Sequence, residues 1–374
     1  MTIQLFKPVY RVDETLNEIR ECLVQGWTGI GGKCVEFEDK FKTYTKLPHA
    51  HFLNSATAGL HIALKIALRR NKSAFKVIST PLTFISTNHA IKYTGAMPIF
   101  VDVDDSLCMD PIRLLEVLGE KEVRETIGAI LFMAMGGNPG QLFAIQEIAK
   151  HYDIPLIVDA SHACGSRLGH EHIGAGADFT VFSFQAVKNL STGDGGMICC
   201  KDEADDKLAR KLSWLGISKP THLRDSWDYE VDEIGWKYHG NAIAAAIGIV
   251  GLKYLNEDNF YRRGIANTYD KFLDPGITKI ANPRYALDLS SNHLYQILVD
   301  LNIRNKIIAY AKKQGVQLGV HYKDNTNYPM YRFGHCPNSH HLSQKLISLP
   351  MGCHLTIDDA TKVIGVVNAG YSLA

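Results

Sequence analysis

The chain has 374 residues, 46% of them hydrophobic, which is too long for one ordinary core and apolar enough to fill two, so a large and a small domain are expected. Its 40 basic and 39 acidic residues leave a net charge of +1, and no basic block alternates with aromatics, which argues against nucleic acid or an anionic membrane surface as a partner. The first eleven residues lack a basic region followed by an apolar one, and no later run approaches a membrane span, so the expected location is the cytoplasm.

Val12, Leu16, Ile19 and Leu23, with charges between them, have helical spacing. The pattern breaks at Trp27 to Gly32, where a glycine cluster beside Trp27 and Thr28 suits either a loop folded over a ligand or a plain helix-ending turn. Val35, Phe37, Phe41 and Tyr44 begin a second amphipathic helix. Residues 50–68 then read as a short strand, a turn of small residues at Ser55, Ala56 and Thr57, and a helix through Ile62, Leu64 and Leu68. The free N–H groups and positive dipole end of such a helix suit an anion, although an ordinary N-cap has the same appearance.

Six short apolar runs follow, at residues 76–79, 97–102, 127–132, 154–159, 179–183 and 196–200, with helix-like segments between most of them. This alternation predicts an α/β fold, a mostly parallel sheet covered by helices on both faces, with ligands at the carboxyl ends of the strands. That edge collects Thr80 to Phe84, Asn138 and Pro139, Asp159 to His162, and Ser183 to Lys188. Asp159 ends an apolar strand, so its carboxylate needs a cationic or hydrogen-bonding partner, unless it caps the next helix. His162 is placed to reach the same ligand or to serve structure alone. Phe84 offers a face for stacking or fills the core. Lys188 lies between an apolar strand and a turn containing Gly193, Gly195 and Gly196. Burial there lowers an amine's pKa and makes it a nucleophile, whereas a lysine after a strand is more commonly solvated. Lys237 precedes a helix rich in small residues and is either a phosphate contact or a surface lysine.

The pattern changes near residue 255, which divides the chain into a large domain of residues 1–255 and a small one of residues 256–374, the N-terminal helix being free to pack against the latter. The second part alternates again: a strand at 293–299, a helix at 304–313, the pair His321 and Tyr322, a strand at 347–350 and a closing helix from Ile357 with Thr356 as its N-cap. The eight cysteines show no paired C-x-x-C spacing, which fits free thiols in a reducing compartment. His335, Cys336, His340, His341, Cys353 and His354 match no common zinc spacing, so a polar loop beside a helix start is expected there and no metal.

A lysine for a Schiff base, a carboxylate for a ring nitrogen, a hydroxyl-rich helix start for a phosphate and a ring for stacking together meet the needs of pyridoxal 5'-phosphate. Over nearly its whole length the chain resembles the DegT/StrS family of pyridoxal-phosphate-dependent nucleotide-sugar aminotransferases. The motifs that carry the likeness occur in order at Gly31 to Glu38, Asn54 to Leu60, Thr80 to Phe84, Gly95 to Val103, Val158 to Ala163, Phe182 to Gly196, Ala245 to Gly248, and Ser348 to Pro350. The resemblance implies an aspartate-aminotransferase-like fold of type I, with a large domain that binds the cofactor and a smaller C-terminal α+β domain. It implies Lys188 as the Schiff-base lysine, Asp159 as partner of the pyridine nitrogen, Phe84 stacked on the ring and His162 near the ring hydroxyl. The phosphate then belongs to Ala56, through its backbone, with Thr57 and Ser183. Lys237 would reach that phosphate from a neighbouring subunit, which implies a homodimer with shared sites.

Trp27, Thr28, His321 and Tyr322 are candidates for contact with substrate. Alanine at position 56 stands where the family commonly has glycine, Ala134 where many members carry histidine, and residues 321–331 replace a proline- and leucine-rich segment. These departures bear on substrate identity more than on chemistry. The implied reaction carries an amino group from L-glutamate to a nucleotide-linked keto-deoxysugar in two ping-pong halves. Its rivals are a dehydrating or aromatising enzyme using the same cofactor, against which Lys188 in place of histidine argues, and a regulator that binds sugar or cofactor without turnover. The absence of G-x-G-x-x-G after the first strands argues against a nicotinamide dehydrogenase.

Overall fold

In the computed structural model, which describes residues 2–218, 229–280 and 287–373, the apolar runs pair into one seven-stranded sheet. In chain order the strands are His51–Leu53 (β1), Lys76–Ser79 (β2), Met97–Phe100 (β3), Ile127–Met133 (β4) and Leu156–Asp159 (β5), then a hairpin of Arg167–Leu168 (β6) and Glu171–His172 (β7), then Phe179–Ser183 (β8) and Gly196–Cys200 (β9). The sheet order is β1-β9-β8-β5-β4-β2-β3, with β9 antiparallel to both neighbours and the other pairs parallel.

Strands β4, β5, β8 and β9 are buried at every residue, as a sheet covered on both faces requires. Their side chains alternate between two cores. Ile130, Phe132 and Phe182 join Phe37, Phe41 and Phe184 on one face, while Ala129, Leu131, Phe179 and Val181 meet Leu60, Ile62 and Leu64 on the other. The second face is covered by the helix Ala56–Ala67, whose apolar residues run all round it, as a helix enclosed on every side demands.

The helix Ala242–Phe272 has 31 residues and runs unbroken through residue 255. Asn241 starts it by accepting a hydrogen bond from Ala244 N–H at 3.0 Å. Its small residues pack on the helices Val12–Gln25 and Gly32–Thr45, and its second half carries Ile265, Ala266 and Tyr269 into a further core. That core surrounds an antiparallel sheet of Thr278–Lys279 (β10), Tyr295–Leu298 (β11) and Leu346–Leu349 (β12), with the helices Leu301–Lys313 and Ile357–Ser372. Ile3 enters the same core, its backbone bonded to Gly315 O and Gln317 N.

The closing helix has the expected cap, Thr356, made reciprocal by the Asp359 side chain. The helix expected from Arg304 starts earlier, at Leu301, because the Asp300 carboxylate accepts from Asn302 N–H at 2.8 Å. The histidine- and cysteine-rich stretch contains the helix Pro337–Lys345, whose N–H groups at Asn338 and Ser339 are taken by the distant Asp102 carboxylate at 2.8 and 2.7 Å. Among the described residues no group of three or more His, Cys, Asp or Glu is arranged to hold a metal, and no helix is long and apolar enough to cross a membrane.

Candidate active site

The carboxyl ends of β2, β4, β5 and β8 open on one edge of the sheet, and β9 starts there because it runs the opposite way. Asp159 is the last residue of β5 and is 2% exposed. Its Oδ2 accepts from the Thr87 hydroxyl at 2.8 Å and its Oδ1 from Ser161 N–H at 3.1 Å. Since the Thr87 hydroxyl donates to Asp159, the Thr83 hydroxyl 2.9 Å away donates to Thr87. Burial nevertheless raises the carboxyl pKa, opposed by Ser161, Thr87 and the charge of Lys188. A buried carboxylate held this way is incomplete without a cationic partner.

Lys188 follows β8 through a turn in which its N–H bonds Gln185 O. Burial lowers its ammonium pKa to about 8, with Asp159 acting in the other direction. About half of its amine is therefore free as a nucleophile at pH 8, where an ordinary lysine is almost wholly charged. Reductive aldehyde labelling of Lys188, followed by peptide mass, is expected to rise roughly tenfold per pH unit up to about pH 8 and then level off. A rise continuing to pH 10 would contradict the lowered pKa.

His162 is buried, and burial holds its pKa well below the ordinary value. Gly136 N–H donates to Nδ1 at 3.2 Å, so the ring proton sits on Nε2 and donates to the Tyr322 hydroxyl 3.0 Å away. Tyr322 in turn lies beside Phe84, ring centroids 5.5 Å apart. Phe84 is 51% exposed at the start of the helix Ile85–Tyr93, so its ring is a free face in the cleft and no core residue. His321 accepts from or donates to the Ser348 hydroxyl at 3.0 Å and packs edge-on to Phe6.

The helix start at residues 55–57 closes the other end. Ser55 caps it by accepting from Ala58 N–H at 3.2 Å, which leaves the N–H groups of Ala56 and Thr57 outside the helix ladder and suited to an anion. Ser183, the last residue of β8, is buried, and Gln185 N–H donates to its hydroxyl at 3.4 Å. Gly196 brings β9 against this helix start: a Cβ there would lie 2.5 Å from Ala56 N and from the Ser55 carbonyl carbon. Both are backbone atoms with no freedom to swing away. Gly196→Ala is expected to cost about 1–3 kcal/mol in denaturant unfolding and to weaken retention of a phosphate-bearing ligand. Unchanged stability would be inconsistent with that close approach.

Three sequence candidates have other partners within one chain. The Trp27 indole folds onto its own turn, donating to Ile30 O, while Thr28 O and Gly29 O accept from Ala242 N–H. Lys237 has an exposed side chain whose amine lies 5.0 Å from the centre of the Trp214 ring, although its carbonyl accepts from Asn54 Nδ2 at 3.2 Å.

Other participants carried no signal of their own. Asn189 Nδ2 donates to Asn259 Oδ1 and Ser291 O at 2.7 and 2.8 Å, and its Oδ1 accepts from His293 Nδ1 at 3.1 Å, which pins the residue next to Lys188. Asn325 bonds Pro81 O, Thr83 O and the Asn88 side chain, and so seats residues 321–331 on the loop that carries Phe84. Only the position of Asn189 directly after Lys188 offered a hint.

The model of the DegT/DnrJ/EryC1/StrS aminotransferase family matches residues 10–368. The spore coat polysaccharide biosynthesis protein SpsC of Bacillus subtilis is 33% identical over 375 residues, covering 95% of this chain and 93% of its own. Helicobacter pylori PseC, an aminotransferase involved in the biosynthesis of pseudoaminic acid, has a similar fold, with a TM-score of 0.93 over 100% of both chains at 24% identity. Streptococcus pneumoniae Spr1654, solved in PLP and PMP forms, is 27% identical, and its PLP form reaches a TM-score of 0.87 over 100% of this chain and 99% of its own.

Proposed function

Because the chain belongs to the DegT/DnrJ/EryC1/StrS aminotransferase family, whose members depend on pyridoxal phosphate, we propose that it carries an amino group from L-glutamate to the ketone of a nucleotide-linked keto-deoxysugar. At the coarser level it is a sugar aminotransferase. The transamination chemistry in this reading rests on one observation above the rest: at the same sheet edge as the buried Asp159 carboxylate stands the Lys188 amine, its pKa brought to about 8.

The residues present fit the cofactor. Asp159 is an anion short of a cation, which a protonated ring nitrogen supplies, and Gly196 leaves room at a helix start whose N–H groups suit a phosphate. Bound, the cofactor supplies the electron sink for the charge left when a proton leaves carbon beside nitrogen. The chain does the rest. Lys188 Nζ anchors the cofactor, and once displaced by the donor it holds the proton taken from the donor's Cα. Asp159 keeps a proton on the ring nitrogen, and Thr87 and Ser161 fix the carboxylate's direction. The Phe84 face covers the ring, neutral His162 stands at its hydroxyl, and Ala56, Thr57 and Ser183 hold the phosphate.

Residues 1–255 carry this machinery in our reading and residues 256–374 close over it. Lys237 acts across a homodimer, a role supported by its exposed side chain, whose amine lies over the Trp214 ring. Trp27, Thr28, His321 and Tyr322 meet substrate. The direct test is to add L-glutamate to the holoenzyme and follow conversion of the cofactor to its amine form, then to offer a panel of nucleotide keto-sugars. No conversion with glutamate removes the donor, and conversion without any sugar accepting the amine removes the acceptor.

A further inference from the structure

Phe260, Arg263, Gly264 and Asn267 recur at intervals of three and four on the helix Ala242–Phe272, so they share one of its faces. Gly264 leaves that face hollow: a Cβ there would meet no atom of the rest of the chain within 4 Å. The hollow is one wall of a cavity of about 270 Å³, closed by Asp288, Leu289, Ser290 and Asn292 of the segment before β11. It shares no residue with the small cavity at Lys188, where the buried neighbour Arg262 lies instead.

Two charges around this cavity are unmet. Among the described residues no carboxylate pairs with Arg263; burial lowers its guanidinium's pKa, and only Tyr44 opposes that. Asp288 is 8% exposed, its Oδ1 accepts from Gly169 N–H at 2.7 Å, and its Oδ2 is buried with no hydrogen-bond partner. A carboxylate oxygen left so is costly to bury. The last torsion of an aspartate is broad, and a small turn about it presents that oxygen to an arriving donor. Asn292, also buried, adds a side-chain amide that bonds nothing else among the described residues. The cation and the anion stand on different elements, helix and loop, and do not pair with each other.

The space equals the share of liquid taken by about nine water molecules, enough for a free amino acid and too little for a nucleotide-linked sugar. We propose that this cavity is a second ligand site, apart from the reaction centre, for an α-amino acid with an apolar side chain. The ligand's carboxylate meets the Arg263 fork and its ammonium meets Asp288. A zwitterion satisfies both charges at once, whereas a dicarboxylate or a diamine sets a like charge against one of them. Phe260 and Leu289, both exposed, are the apolar surface that the ligand's side chain covers.

Occupancy bears on the reaction centre through Ser291, which stands between two residues of the cavity wall. Its hydroxyl donates to His162 O at 2.8 Å, and its carbonyl accepts at 2.8 Å from Asn189, the residue after Lys188. A ligand that draws Asp288 and Asn292 towards itself therefore acts on the segment that seats Lys188.

Equilibrium dialysis of labelled L-leucine tests the site in holoenzyme reconstituted with pyridoxamine phosphate, a form that cannot condense with an added amine, so the result does not depend on which donor the enzyme uses. One L-leucine per chain is expected to bind. Arg263→Gln and Asp288→Asn should each weaken it roughly 10- to 100-fold, the scale of one charged hydrogen bond. L-leucinamide, which lacks the carboxylate, should bind the parent and Arg263→Gln equally weakly, and N-acetyl-L-leucine should do the same with the parent and Asp288→Asn. Gly264→Met fills the hollow and should abolish binding, with cofactor content and melting temperature unchanged.

Absence of saturable binding, binding that survives Gly264→Met, or N-acetyl-L-leucine held as tightly as L-leucine overturns the assignment. Saturating L-leucine should also perturb the cofactor's absorbance in the parent and leave Gly264→Met unchanged; an unaltered parent spectrum overturns the link through Ser291. Should Asp288→Asn fail to accumulate, Arg263→Gln and the two leucine derivatives carry the same comparison.

Discussion

Lys188→Ala is expected to lower turnover by roughly 10³-fold or more, the scale set by losing a positioned acid–base group that is also the nucleophile. The visible absorbance of lysine-bound cofactor disappears with it. Among the described residues the other lysine assigned to the site, Lys237, lies over Trp214. Lys188→Arg should be equally inactive, because a guanidinium keeps its proton at any working pH and cannot attack. Single-turnover kinetics and an absorbance spectrum of each variant decide the matter. Retention of either the band or the turnover in Lys188→Ala sinks the assignment.

Asp159→Asn should move activity and stability in opposite directions. The substitution preserves the shape that Thr87 and Ser161 surround but removes the charge that keeps the ring nitrogen protonated. The half-reaction with donor is expected to slow by roughly 10²–10³-fold, about the loss seen when one electrostatic contact to developing charge is deleted.

In the apoprotein the carboxyl pKa is raised, mainly by burial. A raised carboxyl favours folding while protonated, and that contribution is lost as pH rises through the folded pKa. At pH 7 the ionised carboxylate therefore costs stability, and the neutral amide should leave the apoprotein as stable as its parent or more so. The advantage should fade in acid, towards the unfolded pKa of about 3.9. Apoprotein melting temperatures at pH 7 and pH 4 measure this. A variant less stable than its parent at pH 7 would mean that the carboxylate holds the fold together and is no strained, cofactor-directed charge.

The sheet was legible because the strands it buries on both faces are written as continuous apolar runs, and Asp159 and Ser183 stand out as the polar residues that end two of them. Lys188 was legible from the glycine turn behind it. What escaped is the set of polar residues whose meaning depends on a distant partner. Thr87 is an unremarked helix residue until β5 delivers Asp159, 72 positions later, to its hydroxyl. Asn88 and Asn325 are separated by 237 positions, and no local pattern announces their bond. His293 reads as a strand residue and Arg262 as one of many helix charges, because burial of a cation becomes visible only when other elements enclose it. Trp27 stayed open between a loop over a ligand and a helix-ending turn, because within one chain its indole donates to Ile30 O of its own turn and a role toward substrate depends on what lies beyond that chain.

Ile3 joins residues 315–317 through the bonds Ile3 N–H to Gly315 O and Gln317 N–H to Ile3 O, at 2.8 and 3.0 Å. Phe6 to Val9 continue from there along the cavity wall that also holds Lys188 and Met351. The pairing therefore joins segments made far apart in the order of synthesis. At about 5–20 residues per second the first segment waits roughly 15–60 s for its partner. The seven-stranded sheet is synthesised and able to fold in that interval, with the side of Lys188 still open. Closure of the cavity wall is then a late event in biogenesis, and a nascent chain stalled before residue 315 should expose Lys188 to reagents that the finished protein slows.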